Sequence, residues 1–310
     1  MRPTDSTILR RSRADLSKEK RRPGLIIDFH THLFPDAIAA RALSRLVDNT
    51  RPYTQRYGET RPHTDATAAG LTASARAAGI DVSVVMPIAT SPRPSETINT
   101  FAAEVDRLPG LRSFGSVHPR CPDAFRELER IRQLGLRGIK LHPEYQGCFA
   151  DAPETVAVVK RAGELGLWVL LHAGEDIGMP PPVHCAPEHA ARLCEAAPEA
   201  RIIFAHMGGY RQWQEAERIL PGSGAYVDTS FCLPNHPEEW ERFALLARAL
   251  GADHVLFGTD SPWADQAQAL ACARRFFDQA GFTGEEREAM LGGNAAAILA
   301  GAAPRPESNN

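Results

Sequence analysis

The sequence predicts an α/β protein, a (β/α)8 TIM barrel, on three observations: eight short aliphatic runs, a helical pattern after each, and 310 residues, which one barrel domain of about 250 residues nearly fills. The runs are LIIDFHTH (25–32), VSVVMP (82–87), SFGSVHP (113–119), LRGIKLHP (136–143), LWVLLHAG (167–174), RIIFAHMGG (201–209), AYVDTS (225–230) and VLFGTD (255–260). Near-continuous apolar strands of this kind are buried on both faces, as a parallel sheet wrapped in helices requires. Between them, Trp240, Phe243, Ala247 and Leu250 recur at helical spacing, with Gly251 placed for a left-handed C-terminal cap. Phe125, Leu128 and Ile131 form an apolar stripe after Pro122, and Val156, Val159 and Leu165 another between Pro153 and Gly166. Strand spacing suits one helix and two short loops, except that nearly 60 residues separate the first two strand starts. That insertion (33–80) holds a helix built on Ala37–Val47 and the polar, proline-punctuated DNTRPYTQRYGETRPHTD (48–65). Its place suits either a lid or specificity element over the active site or an inert surface loop.

Composition narrows the class. With 35 Lys and Arg against 38 Asp and Glu, the chain lacks the basic footprint of a nucleic-acid binder. It also has no apolar run of about 18 residues, which excludes a membrane-spanning helix. The expected partner is a small-molecule substrate, and a homo-oligomer is compatible with the composition. Six scattered cysteines (121, 148, 185, 194, 232, 272) without a CxxC pair read as reduced thiols of a cytoplasmic protein. Residues 1–22, rich in Arg and Lys but without an apolar stretch, read as a disordered basic arm. The barrel domain is expected over 23–301, and the polar 302–310 as a disordered tail.

Chemistry-bearing residues gather at strand ends. Asp28, His30 and His32 stand at i, i+2, i+4 on the first strand, so regular alternation puts all three on one face. A His pair at i and i+2 can hold one metal ion. His172, His206 and Asp260 close strands 5, 6 and 8, and in a barrel those ends form the active-site mouth. His30, His32, His172 and Asp260 together offer three nitrogens and one oxygen to one divalent ion, a set that suits Zn and tolerates Mn, Fe or Co. Asp28 either touches the metal or orients a His ligand. Lys140 and His142 share a strand face, as pocket-lining groups that meet a substrate carboxylate or as a structural hydrogen-bonding pair. His118, His63, His184, His189, His236 and His254 receive structural or surface roles, Glu175 and Asp176 are expected to face solvent, and Trp263 could form an apolar wall. There is no GxGxxG unit for a nucleotide and no GxSxG elbow for a serine hydrolase.

The segments DFHTH, LLHAG, FAHMGG and FGTDSPW, in that order, resemble the amidohydrolase superfamily, specifically the amidohydrolase-related family that includes aminocarboxymuconate-semialdehyde decarboxylase. The resemblance runs over about residues 25–300 and includes GIKLHP and the closing GGNAAAIL, where Asn294 looks like a helix cap. It implies that His30, His32, His172 and Asp260 bind the metal and that His206 acts on substrate. In some binuclear members a strand-4 lysine is carboxylated and bridges two metals; the resemblance here is to mononuclear members, which leaves Lys140 free to meet substrate.

The activity expected is that of a metal-dependent hydrolase, a metal-activated water attacking an amide, ester or lactone. Asp260 would take the water's proton, while His206 would polarise the carbonyl or protonate the leaving group. The alternative is a metal-dependent nonoxidative decarboxylase of an aromatic or enol carboxylate. That reaction needs a cation, which Lys140 or Arg51, Arg56 or Arg61 of the insertion could supply. Hydrolysis is preferred because HAG and GIKLHP resemble the hydrolase branch. A catalytically silent protein would lack His206 or Asp260, and neither is missing.

Overall fold

The computed structural model describes residues 24–301, so the arm at 1–22 and the tail at 302–310 lie outside it. Eight strands follow in order: β1 Ile27–Thr31, β2 Val82–Val85, β3 Leu111–Ser113, β4 Gly138–Leu141, β5 Trp168–Leu171, β6 Arg201–Phe204, β7 Tyr226–Asp228 and β8 Val255–Leu256. All neighbours pair in parallel, β1 to β3 in one ladder and β4 to β8 in a second. Short bonds close both seams. Gly115 N donates to Gly138 O and Lys140 N to Gly115 O, each at 2.8 Å, while Phe29 N donates to Phe257 O and Asp260 N to His30 O at the same distance. The chain therefore forms the TIM barrel its strand pattern predicts. No helix among the described residues is long and apolar enough to cross a membrane.

Strand alternation divides the core in two. Ile139, Leu141, Val169, Leu171, Ile202 and Phe204 point outward into the layer shared with the helices. Their neighbours Ile27, Phe29, Val84, Phe114, Trp168, Leu170 and Ile203 pack on one another inside the barrel, with Phe29 and Phe114 edge to face at 5.6 Å. Gly138 is needed for that packing, because a Cβ there would stand 2.4 Å from the Phe114 ring and 2.5 Å from Trp168 O. Ala295 and Ile298 of the last helix, Asn294–Ala300, join the inner cluster. The helix starts beside β8 and ends with Gly301 against Arg137, at the start of β4, so it plugs the end of the barrel opposite the strand tips.

Three local expectations are corrected. Asn294 does not cap its helix: the preceding Gly293 is already helical, and Asn294 Nδ2 instead donates to Ala252 O (2.9 Å) and Val255 O (2.8 Å), pinning the plug to the entry of β8. Asn294→Ala should therefore cost about 1–3 kcal/mol in urea unfolding, because two carbonyls lose their donor. Phe125 is 48% exposed. The buried stripe of its helix, Ala124–Gln133, takes Glu127 instead, whose carboxylate accepts from Asn99 Nδ2 and Arg130 Nη1. Gly251 ends its helix at φ 95°, ψ 138°, outside the left-handed cap geometry, because the chain turns at once into the short helix Ala252–His254 that feeds β8.

Candidate active site and metal centre

β1 does not keep its alternation. Its register against β2 slips between Asp28 and Thr31, so three residues of β1 span two of β2. Such a bulge re-aims the side chains that follow it. Asp28 stays on the outer side, where its carboxylate accepts from Thr259 N (2.9 Å), Thr259 Oγ1 (2.6 Å) and Gln266 Nε2 (2.8 Å). Burial pushes its carboxyl up to about 7. Asp28 thus ties β1 to the exit of β8, and the common face expected for Asp28, His30 and His32 is not formed.

His30 and His32 turn into the mouth and meet Asp260. Their Nε2 atoms lie 3.6 and 3.1 Å from Asp260 Oδ1. The opposite ring nitrogens are engaged: His30 Nδ1 faces Asp228 Oδ2 at 2.8 Å, and His32 Nδ1 donates to Met86 O at 2.8 Å. Both protons are thereby placed on Nδ1, leaving the Nε2 lone pairs directed at the carboxylate. Burial and the nearby Lys140 ammonium bring the His30 imidazolium down to about 4, so the ring is neutral at neutral pH. Two ligands each 2.0–2.1 Å from one tetrahedral ion stand about 3.3 Å apart, and the two distances to Asp260 Oδ1 bracket that spacing. The residues fit a divalent ion.

His172 falls in a different group. Its Nδ1 is 3.0 Å from His206 Nε2, and its ring stacks on His142 at 4.2 Å. His142, His172 and Asp176 form a second buried trio of potential ligands. Within it, His142 Nδ1 accepts from Tyr145 N (3.4 Å), which leaves the proton on Nε2, facing Asp176 Oδ2 at 3.5 Å. A nitrogen that carries a proton has no lone pair for an ion, so His142 Nε2 is not offered to one. Asp176 is buried, contrary to the expectation that it faces solvent, and burial pushes its carboxyl up to about 7.

Backbone strain accompanies the two remaining mouth residues. His206 and Asp260 have φ of 58° and 70°, left-handed values that cost a non-glycine residue about 1–3 kcal/mol and that aim both side chains into the mouth. His206 Nδ1 donates to Ser230 O at 3.0 Å, and its backbone N donates to Asp228 Oδ1 at 3.0 Å. Burial alone would raise the Asp228 carboxyl, but His30 and the Ser230 hydroxyl hold it well below the usual carboxylate range. Asp228 and Ser230 were missed in the sequence. The signal was there, since AYVDTS closes strand 7 on polar residues as the other strands close on theirs.

The mouth opens into a cavity of about 450 Å³. Lys140 stands at its floor, 1% exposed, with Nζ 3.1 Å from His30 Nε2, and burial lowers its ammonium to about 8. Among the described residues it is the only Lys or Arg lining the cavity. The insertion arginines are engaged elsewhere: Arg51 with Asp48 at 3.1 Å, Arg61 with Glu59 at 2.6 Å, and Arg56 with Glu175. The insertion is nonetheless part of the site, since Leu46, Thr50 and Thr60 line the cavity and Tyr57 Oη donates to Glu175 Oε2 at 2.8 Å. Trp263 also lines it, whereas His63, His118, His184, His189, His236 and His254 do not.

A closed parallel barrel with imidazoles and a carboxylate converging at its strand tips defines a metal-competent barrel enzyme. The amidohydrolase family model matches residues 27–300, and the chain belongs to that family. It is 26% identical over 217 residues to a 2-amino-3-carboxymuconate-6-semialdehyde decarboxylase of Dictyostelium discoideum, a match spanning 60% of this chain and about 60% of that enzyme's length. Among solved structures, an uncharacterised TIM-barrel protein of Bordetella bronchiseptica superposes with a TM-score of 0.67 at 22% identity, over 89% of this chain and 98% of that one. A 5-carboxyvanillate decarboxylase of Novosphingobium aromaticivorans, solved with bound manganese, superposes at 0.65 and 17% identity, over 89% of this chain and 97% of that one.

Proposed function

We propose that the chain is a metal-dependent nonoxidative decarboxylase of a small aromatic or enol carboxylate, the second of the two activities weighed from the sequence. The observation that carries this reading is Lys140, a buried ammonium at the floor of a largely apolar cavity. Among the described residues its only side-chain contact of hydrogen-bond length is His30 Nε2, the lone pair that a bound ion would take over, so its donors are left for a carboxylate. The decarboxylase relatives support the same reading, and they weigh against the hydrolysis preferred on the HAG and GIKLHP segments.

In this mechanism Lys140 Nζ binds the substrate carboxylate, and His30, His32 and Asp260 would hold the ion, with Zn or Mn both suited to the donor set. When bound, a divalent ion supplies Lewis-acid stabilisation of the negative charge that develops on the substrate. The bond between substrate carbon and carboxyl carbon breaks, CO2 leaves, and the electron pair stays on the substrate carbon. The vacated position takes a proton from Nε2 of His206 in its imidazolium form, whose Nδ1–H stays bonded to Ser230 O and which solvent reprotonates after each turnover. Trp263 and the insertion shield the reacting carbon from water.

The test is a panel of aromatic and enol carboxylates, amides, esters and lactones, offered to manganese- or zinc-loaded protein with CO2 followed in parallel. CO2 release is expected from the carboxylates. Turnover of an ester or lactone without CO2 would return the function to hydrolysis. Lys140→Met should raise KM for the carboxylate about 10- to 100-fold, the loss of a charge-assisted hydrogen bond, with metal content unchanged.

A further inference from the structure

Resting on the reading of Lys140 as the carboxylate's partner, we infer that the substrate carries a single carboxylate and, on the side away from it, an apolar extension larger than a bare ring. Three observations point to this. The cavity, at about 450 Å³, falls in the range of about 300–1,000 Å³ that holds drug-sized ligands, well beyond a bare benzoate. The wall beyond the strand tips is apolar: Ile38 and Leu46 come from the insertion helix Asp36–Thr50, and Ile98 and Phe101 from the helix Glu96–Val105.

The third observation concerns charge at the outer end. Two guanidiniums lie nearby, and neither lines the cavity. Arg56 is bonded to Glu175 and Arg211 stands 3.8 Å from the same carboxylate, with their guanidinium carbons 5.2 and 5.4 Å from the Tyr57 ring centre. Glu175 itself does line the cavity. A second substrate carboxylate would therefore find at that end no lining cation, both guanidiniums being engaged with Glu175 outside the lining, whereas a hydrocarbon arm would replace water against aliphatic and aromatic walls.

Binding of para-alkylbenzoates, from methyl to pentyl, and of terephthalate to the manganese-loaded full chain, followed by titration calorimetry, tests the inference apart from turnover. Affinity should rise about three- to fourfold for each added methylene that is buried, and terephthalate should bind at least about tenfold more weakly than para-ethylbenzoate. Ile98→Lys should reverse that order by giving the second carboxylate a cation. Leu46→Asn, a milder change, should weaken para-pentylbenzoate and leave para-methylbenzoate unaffected. A flat alkyl series, tighter binding of terephthalate, or no binding by any member overturns the inference. The two readings fail separately. A rising alkyl series on a protein that releases no CO2 from any carboxylate keeps the substrate class and sinks decarboxylation, whereas CO2 released preferentially from dicarboxylates keeps decarboxylation and sinks the substrate class.

Discussion

Replacing His206 with Asn should lower turnover by about 10² to 10⁴ while leaving metal content near that of the unaltered protein. The variant keeps much of the side-chain volume and a hydrogen-bond donor for Ser230 O, but it has no titratable proton to give the substrate carbon. The metal prediction follows from placement. His30, His32 and Asp260 converge on one point, whereas His206 Nε2 faces His172 Nδ1 at 3.0 Å, outside that trio. Elemental analysis alongside CO2 release separates the possibilities. Loss of metal would make His206 a ligand, and full turnover with full metal would remove it from proton transfer.

Asp228→Asn should weaken metal affinity about 10- to 100-fold with little change in melting temperature. The amide oxygen can still accept from His206 N and Ser230 N, so the backbone bonds that seat the β7 exit are preserved. The atom facing His30 becomes an N–H donor, however, and His30 Nδ1 must then accept. Its proton moves to Nε2, the position where the lone pair for the ion should be. Titration of metal-free protein with Mn or Zn in competition with a chelator reads the effect directly. An unchanged affinity would show that the His30 tautomer is set by something other than Asp228.

The barrel and the composition of its mouth were legible in the sequence because both are written in short-range pattern. A buried parallel strand is a run of adjacent aliphatic residues, and in a barrel the residue that ends such a run stands at the active-site face wherever the rest of the chain goes. That logic alone brings His30, His32, Lys140, His142, His172, His206 and Asp260 to the strand tips, and all seven line one cavity. What the tertiary structure decided are relations between strands. Regular alternation put Asp28 beside His30, but a bulge is a property of the β1–β2 register, and it sent the Asp28 carboxylate to Thr259 and Gln266 instead. The partner that does orient His30 is Asp228, 198 residues away along the chain. Burial of Asp176, the clasp of Arg56 and Tyr57 on Glu175, and the contact of His172 with His206 likewise depend on which loops meet above the barrel. Side-chain partners of that kind are selected by packing and charge across the closed fold, and no local periodicity encodes them.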